Sequence, residues 1–192
     1  MDHHKKRFVV DVIDSAENLL PEKFSFHPNV LAKLYGTGFE NLMKLRRPSK
    51  HNLPLITAVA ETCSISQRCF VFGEDTKLFM GLGDVLRITG LPIDGLSIIG
   101  NEKEVDLKKL CEDCLGTDEC LSTRSGISLT WMRTKFGKLN AEVAFEGEEL
   151  DRYVRATVLY IIGFIILPTN SSRMAPFYLT FLKNVDDIKS YA

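Results

Sequence analysis

Three cysteines lie close together in the sequence and are the residues best suited to bind a metal. Their spacing is Cys111-x2-Cys114-x5-Cys120. A closed zinc site takes four cysteine or histidine ligands, and all the histidines precede residue 52. A redox CxxC pair lies at a helix N-terminus, whereas Cys111 falls in the middle of a predicted helix. The pattern favours cysteines in the core over zinc binding or redox chemistry, and we predict no metal site.

The basic segment Arg46-Arg47-Pro48-Ser49-Lys50-His51 is the strongest candidate for contact with nucleic acid. Its cations could bind phosphate groups, and such binding weakens steeply with salt. The segment is short and lacks interleaved aromatic side chains, so a solvated loop is the simpler interpretation, with a nuclear-import signal as a further alternative. The candidate contact residues are Arg46, Arg47 and Lys50.

The sequence contains no recognisable set of catalytic residues. A G-x-S-x-G nucleophile motif and a phosphate-binding G-x-x-x-x-G-K-[ST] loop are both missing from it, and Gly81-x-Gly83 has no third glycine in register. The acidic pairs, such as Glu148-Glu149, fall on expected solvent faces, and nothing in their spacing indicates an acid and a base. We therefore predict no catalytic residue, no cofactor and no enzymatic activity.

The bulk composition is that of a globular domain. The chain has 192 residues, of which 45% are hydrophobic and 26% charged, and its formal net charge is -1. A near-neutral chain is not typical of a dedicated nucleic-acid binder. No secretory signal precedes the five cysteines, which predicts reduced thiols inside the cell. The apolar run over 156–167 is shorter than the roughly 20 residues of a membrane span.

The hydrophobic pattern predicts a mainly α fold, a helical bundle with one small β-hairpin at about residues 69–80. Helices are expected over about 27–34, 39–45, 53–61, 82–89, 105–115, 128–136, 148–167 and 172–183. The helix over 148–167 is apolar on all faces from Ala156 onward, which is typical of a buried central helix. Gly163 within it predicts a close helix crossing. Leu55, Ile56 and Val59 are expected to be buried.

Several blocks of the sequence, in their order and spacing, resemble the plant mobile domain. The most specific are Thr89-Gly90-Leu91-Pro92-Ile93-Asp94-Gly95 and Arg155-Ala156-Thr157-Val158-Leu159-Tyr160, with Pro168 after it. Others are Thr37-Gly38-Phe39, Phe70-Val71-Phe72-Gly73-Glu74, Trp131-Met132 and Tyr191-Ala192. The chain departs from the family pattern at Cys63, where a tryptophan is usual. The mixed acidic and basic residues of 1–22 predict an N-terminal lead-in, and the resemblance implies a C-terminally truncated plant mobile domain over 23–192.

The resemblance also carries expectations about function. It implies a nuclear, non-enzymatic protein-interaction or scaffold module, similar to proteins of meristem maintenance, transposon silencing and gene-expression control. Its partners would be nuclear proteins, and no membrane is expected. The alternatives are a nucleic-acid-binding domain of a transposon-derived protein and, last, a cryptic pyridoxal-phosphate- or metal-dependent enzyme. The family is sometimes labelled aminotransferase-like, but no lysine here has the sequence setting of a Schiff base.

Overall fold

The computed structural model describes residues 27–44, 52–100, 105–121, 126–137, 146–167 and 173–191. The α-helices are α1 (Pro28–Lys33), α2 (Phe39–Leu42), α3 (Leu53–Thr62), α4 (Leu82–Thr89), α5 (Leu107–Leu115), α6 (Leu129–Phe136) and α7 (Gly147–Ile161). A π-helical turn, Ile162–Ile166, continues α7, and two 3₁₀ helices follow, Pro176–Leu182 and Val185–Ser190. The strands are β1 (Cys63–Ser64), β2 (Cys69–Phe72), β3 (Thr76–Leu78), β4 (Ile127–Ser128) and β5 (Arg173–Met174). The predicted mainly α class with a small β-hairpin is confirmed.

Helix α7 is the central element of the core. Glu148 and Glu149 lie in its first turn, where the positive end of the helix dipole favours acidic side chains. From Val154 to Ile161 every residue is buried. The helix contacts α1, α5, α6 and the first 3₁₀ helix. The predicted central buried helix is therefore confirmed, but its last turn is π-helical, and Leu167 at its end is 44% exposed.

Helices α5 and α6, which pack on α7, begin and end where their capping residues predict. In α5 the Asp106 carboxylate accepts hydrogen bonds from the backbone N–H groups of Lys108 and Lys109, and Gly116 ends the helix in the left-handed conformation, with φ 77°. In α6 the Ser128 hydroxyl accepts from the Trp131 N–H. These local caps explain why the predicted bounds lie within two residues of the observed ones.

The C-terminal part of the chain differs from the prediction. Instead of one α-helix over 172–183, two 3₁₀ helices cover 176–182 and 185–190. Strands β4 and β5 pair in antiparallel fashion, Ile127 with Met174 and Ser128 with Arg173. This pairing was not predicted, because two-residue strands that lie far apart in sequence leave no periodic signal. A Cβ on Gly163 would lie 3.0 Å from Leu129 Cδ2 and 3.1 Å from Met174 Sδ, so the close approach is to α6 and β5.

Residues 53–89 form a unit that we call the arm. It contains α3, the three-stranded antiparallel sheet β1-β2-β3 and α4. In the sheet Phe70 pairs with Leu78 and Phe72 with Thr76, which confirms the predicted hairpin and adds the unpredicted strand β1. Cys69 is the one described arm residue that is buried.

The segment 90–100 joins the arm to the core. Gly38 lies so close to this segment that a Cβ on it would be 2.5 Å from the Gly90 carbonyl oxygen. Further along, the backbone N–H of Leu96 donates to the Ser190 carbonyl at 2.7 Å. Within the described ranges no helix is long and apolar enough to cross a membrane.

Candidate interaction surface

The arm leaves most of its large apolar side chains in contact with solvent. The prediction that α3 buries Leu55, Ile56 and Val59 is wrong: Leu55 and Val59 are 58% and 39% exposed, and Ile56 is only half-buried. The arm carries twelve of the nineteen exposed large hydrophobic side chains found in the described residues. We call these twelve the apolar surface: Leu53, Leu55, Val59, Ile65, Phe72, Leu78, Phe79, Met80, Leu82, Val85, Leu86 and Ile88.

The sheet contributes one apolar face to this surface. Residues paired directly across an antiparallel sheet point to the same side, so Cys63, Phe70 and Leu78 share one face, and Phe72 lies two positions from Phe70 on that face. Phe72 and Leu78 are 43% and 55% exposed, whereas Cys69 on the opposite face is 3% exposed. Its neighbour Val71 on that opposite face is half-buried, so the face that carries Phe72 and Leu78 is the more open one at β2.

Helix α4 contributes an apolar stripe. Leu82, Val85 and Leu86 recur at i, i+3 and i+4, the spacing that places side chains on one side of a helix, and they are 66%, 36% and 41% exposed. The helix is well capped, because the Asp84 carboxylate accepts from the Gly81 N–H at 3.0 Å and Gly90 ends it with φ 74°. This pattern is that of a helix which packs against a neighbour, but the described part of the chain leaves the stripe exposed.

The charges of the arm are nearly balanced. Residues 53–89 carry four acidic and three basic side chains, and one pair of them, Arg87 Nη1 and Asp84 Oδ1, lies 3.8 Å apart. A surface that holds a nucleic-acid backbone needs a local excess of cations. The arm therefore offers mainly apolar contact area to a partner.

A buried arginine, Arg155, links several elements of the core by hydrogen bonds. The Arg155 guanidinium donates to the carbonyl oxygens of Leu182, Lys183 and Cys114 at 3.1, 2.8 and 3.4 Å. It also donates to Glu148 Oε1 at 2.6 Å. This bond lowers the pKa of the Glu148 carboxyl below its usual value. Arg155 thus joins α7 to the C-terminus of α5 and to the end of the first 3₁₀ helix.

The residues singled out by sequence have different outcomes. The nucleic-acid candidates Arg46, Arg47 and Lys50 lie outside the described residues, and that role stays a prediction. Cys111, Cys114 and Cys120 are 0%, 2% and 1% exposed, as expected of core residues. A hydrogen bond to Cys120, together with burial, raises the pKa of the Cys111 thiol. The described segments contain no group of three or more potential metal ligands.

Comparison with known proteins decides the family. Residues 31–192 match the family described as domain of unknown function DUF8566. The chain belongs to the DUF8566 family. It is also similar to Protein MAIN-LIKE 2 of Arabidopsis thaliana, with 29% identity over 175 residues. That similarity covers 88% of this chain and 25% of the relative, so the chain spans about a quarter of the relative's length. No solved structure matches the chain.

Membership of the DUF8566 family and the similarity to MAIN-LIKE 2 confirm the plant mobile domain resemblance predicted from the sequence. Some of the sequence blocks that carried the resemblance lie where separate elements of the fold contact each other. Gly38 of one block packs on Gly90 and Leu91 of another, and Arg155 opens the block at the centre of the core. Sequence reasoning missed the hydrogen-bonding role of Arg155. The sequence did contain a signal for this role, because Arg155 is the one charged residue within the mostly apolar segment 154–161.

Proposed function

We propose that this chain is a non-enzymatic protein-interaction module of the nucleus. The exposed apolar surface of the arm is the observation that supports this function. Large exposed apolar patches mark sites of protein–protein interaction, and the arm presents twelve large apolar side chains that are each at least 36% exposed. The balanced charge of the arm favours a protein partner over a nucleic acid.

The partner that fits this surface is an amphipathic helix with its own apolar stripe. The α4 stripe recurs at helical spacing, and ridges of that kind pack into the grooves of a facing helix. Because the arm is nearly neutral, binding should depend on apolar burial and change little with salt, unlike binding to nucleic acid. The plant mobile domain resemblance predicted from the sequence extends this proposal to roles in meristem maintenance, transposon silencing and gene-expression control.

Site-specific photo-crosslinking tests this proposal. A benzoylphenylalanine placed at Leu86 should form an adduct with one polypeptide in an extract of plant nuclei and none in a cytosolic extract. The matched position is Arg87, whose side chain is 84% exposed and lies outside the apolar stripe. A probe at Arg87 should give a much weaker adduct.

Titration with the crosslinked partner, produced as a recombinant protein, completes the test. The double variant Leu82→Glu/Leu86→Glu should bind at least about tenfold more weakly, since buried apolar anchors carry most of the binding energy of an interface. Arg87→Gln is the control and should bind like the unchanged protein. Equal affinity of all three proteins would contradict the proposal, as would an adduct at Leu86 that contains only a second copy of this chain.

A further inference from the structure

An apolar groove lies on the core, apart from the arm surface. Its volume is about 330 Å³. The residues that line it come from the N-terminal helices, from the segment after the arm, from the π-helical turn and from the C-terminal end of the chain. They are Thr37, Phe39, Leu91, Pro92, Ile98, Ile162, Ile166, Leu167, Tyr178, Phe181, Leu182, Ile188 and Tyr191. None of the twelve side chains of the apolar surface is among them.

The π-helical turn after α7 supplies part of the groove wall. A π-turn interrupts the regular spacing of side chains along a helix, and such turns are frequent at functional sites. Ile162 at the start of the turn is 7% exposed, whereas Ile166 at its end is 36% exposed. The wall therefore runs from the buried core out to an open rim, where Ile98 is 39% exposed.

The lining of the groove determines the chemistry of a ligand. No lining side chain carries a charge, and the polar side-chain groups are three hydroxyls, those of Thr37, Tyr178 and Tyr191. The Thr37 hydroxyl is already engaged, because it donates to the Leu34 carbonyl at 2.7 Å. A charged ligand would lose its hydration here without gaining a counter-ion, which strongly disfavours its binding. The groove therefore suits a neutral molecule.

We propose that this groove binds a neutral lipophilic small molecule whose size matches the groove volume of about 330 Å³. Small-molecule sites have volumes of about 300–1,000 Å³ and walls that are mostly apolar and aromatic, with a few polar groups. The aromatic rings of Phe39, Tyr178 and Phe181 give flat faces for a ring system. The tyrosine hydroxyls are the groups available for one or two hydrogen bonds. The groove shares no side chain with the apolar surface of the arm.

The neutral dye N-phenyl-1-naphthylamine, which fluoresces in apolar surroundings, is a suitable probe. The exposed arm could also take up such a dye, so the titration uses the full chain with Leu82→Glu/Leu86→Glu as the background. In this background the dye should bind saturably, with one molecule per chain. Ile98→Glu places a charge at the rim of the groove and should weaken binding at least about tenfold, since a desolvated charge has no partner there.

Ile99→Glu is the matched control. Ile99 is the next residue, 82% exposed, and does not line the groove, so this change should leave dye affinity unaltered. Ile98→Phe fills the rim with a larger side chain and adds no charge. It should also weaken dye binding, which would show that the loss in Ile98→Glu comes from blocking the groove and not from a folding defect caused by the charge. Circular dichroism verifies that each variant is folded. Non-saturable dye uptake, or equal affinity of the Ile98→Glu, Ile98→Phe and Ile99→Glu proteins, would overturn the proposal.

Discussion

At the scale of single residues, Arg155 joins three separate parts of the core through its hydrogen bonds. A buried arginine loses its hydration, and this cost is offset only if its donors find partners. Arg155 meets this condition with three backbone carbonyls and one carboxylate. Two of the carbonyls belong to Leu182 and Lys183, at the end of the first 3₁₀ helix, where carbonyl groups lack partners within the helix.

Replacing Arg155 by methionine should lower the free energy of unfolding by about 3 kcal/mol or more, because buried carbonyls that lose their donor cost about 1–3 kcal/mol each. Urea unfolding followed by circular dichroism measures the change.

Arg152→Met is the matched control, one turn earlier on α7. The Arg152 side chain as a whole is 41% exposed, and its Nε, which is buried and makes no hydrogen bond, lies 3.7 Å from Glu148 Oε1. An exposed pair of this kind contributes about 1 kcal/mol or less. Equal losses for the two variants would refute the role of Arg155.

At the scale of elements, the contact between two glycine turns sets the position of the arm on the core. Gly38 precedes α2 and Gly90 ends α4, and both have positive φ, 84° and 74°. Glycine takes this conformation without the steric cost that a Cβ brings. Gly38 also needs to be small, because an added Cβ would lie 2.5 Å from the Gly90 carbonyl oxygen and 2.9 Å from Leu91 Cα.

Two alanine substitutions separate the requirement for a positive φ from the requirement for a small residue. Gly36 has nearly the same φ as Gly38, 82°, but an added Cβ there would meet nothing within 4 Å. Gly36→Ala should therefore cost only the left-handed strain, about 1–2 kcal/mol. Gly38→Ala should cost a further 1–3 kcal/mol or so, because rigid backbone atoms must shift. Chemical unfolding of both variants gives the difference, and a Gly38→Ala protein no less stable than Gly36→Ala would show that the contact is unimportant.

At the scale of the whole molecule, the core and the arm differ in how much they bury. The core contains α7, with eight consecutive buried residues from Val154 to Ile161, whereas α3 and α4 have no buried residue. Local opening costs little free energy where few apolar contacts must be broken. The arm is therefore the part of the described chain that gains most from a partner.

Hydrogen exchange should reveal this difference directly. In the isolated chain, amides within α4 should exchange at least about tenfold faster than those within α7, because opening the arm exposes little additional apolar surface. Mass spectrometry of peptides that cover 82–89 and 147–161 measures both rates. Addition of the partner should slow exchange in α4 and leave α7 unchanged. Equal protection of the two helices in the isolated chain would show that the arm is already covered.

The sequence by itself determined the helical class, the hairpin and the central helix. It also indicated the cysteines as core residues, because Cys111 and Cys114 continue the apolar stripe of their helix. These features depend on periodicity, caps and glycine turns, which act over a few residues. The sequence did not determine the pairing of β4 with β5 or the 3₁₀ geometry after Pro176, since each depends on contacts between distant segments.

Only the tertiary structure decided which apolar stripes are covered. Leu110 and Cys114 are four residues apart on one helix, as Leu82 and Leu86 are on another, yet the first pair is buried and the second is exposed. Periodicity shows that a helix has an apolar side, but it carries no information about what lies opposite that side. Burial is decided by the position of neighbouring elements, and so the interaction surface and the groove became visible only once those positions were fixed.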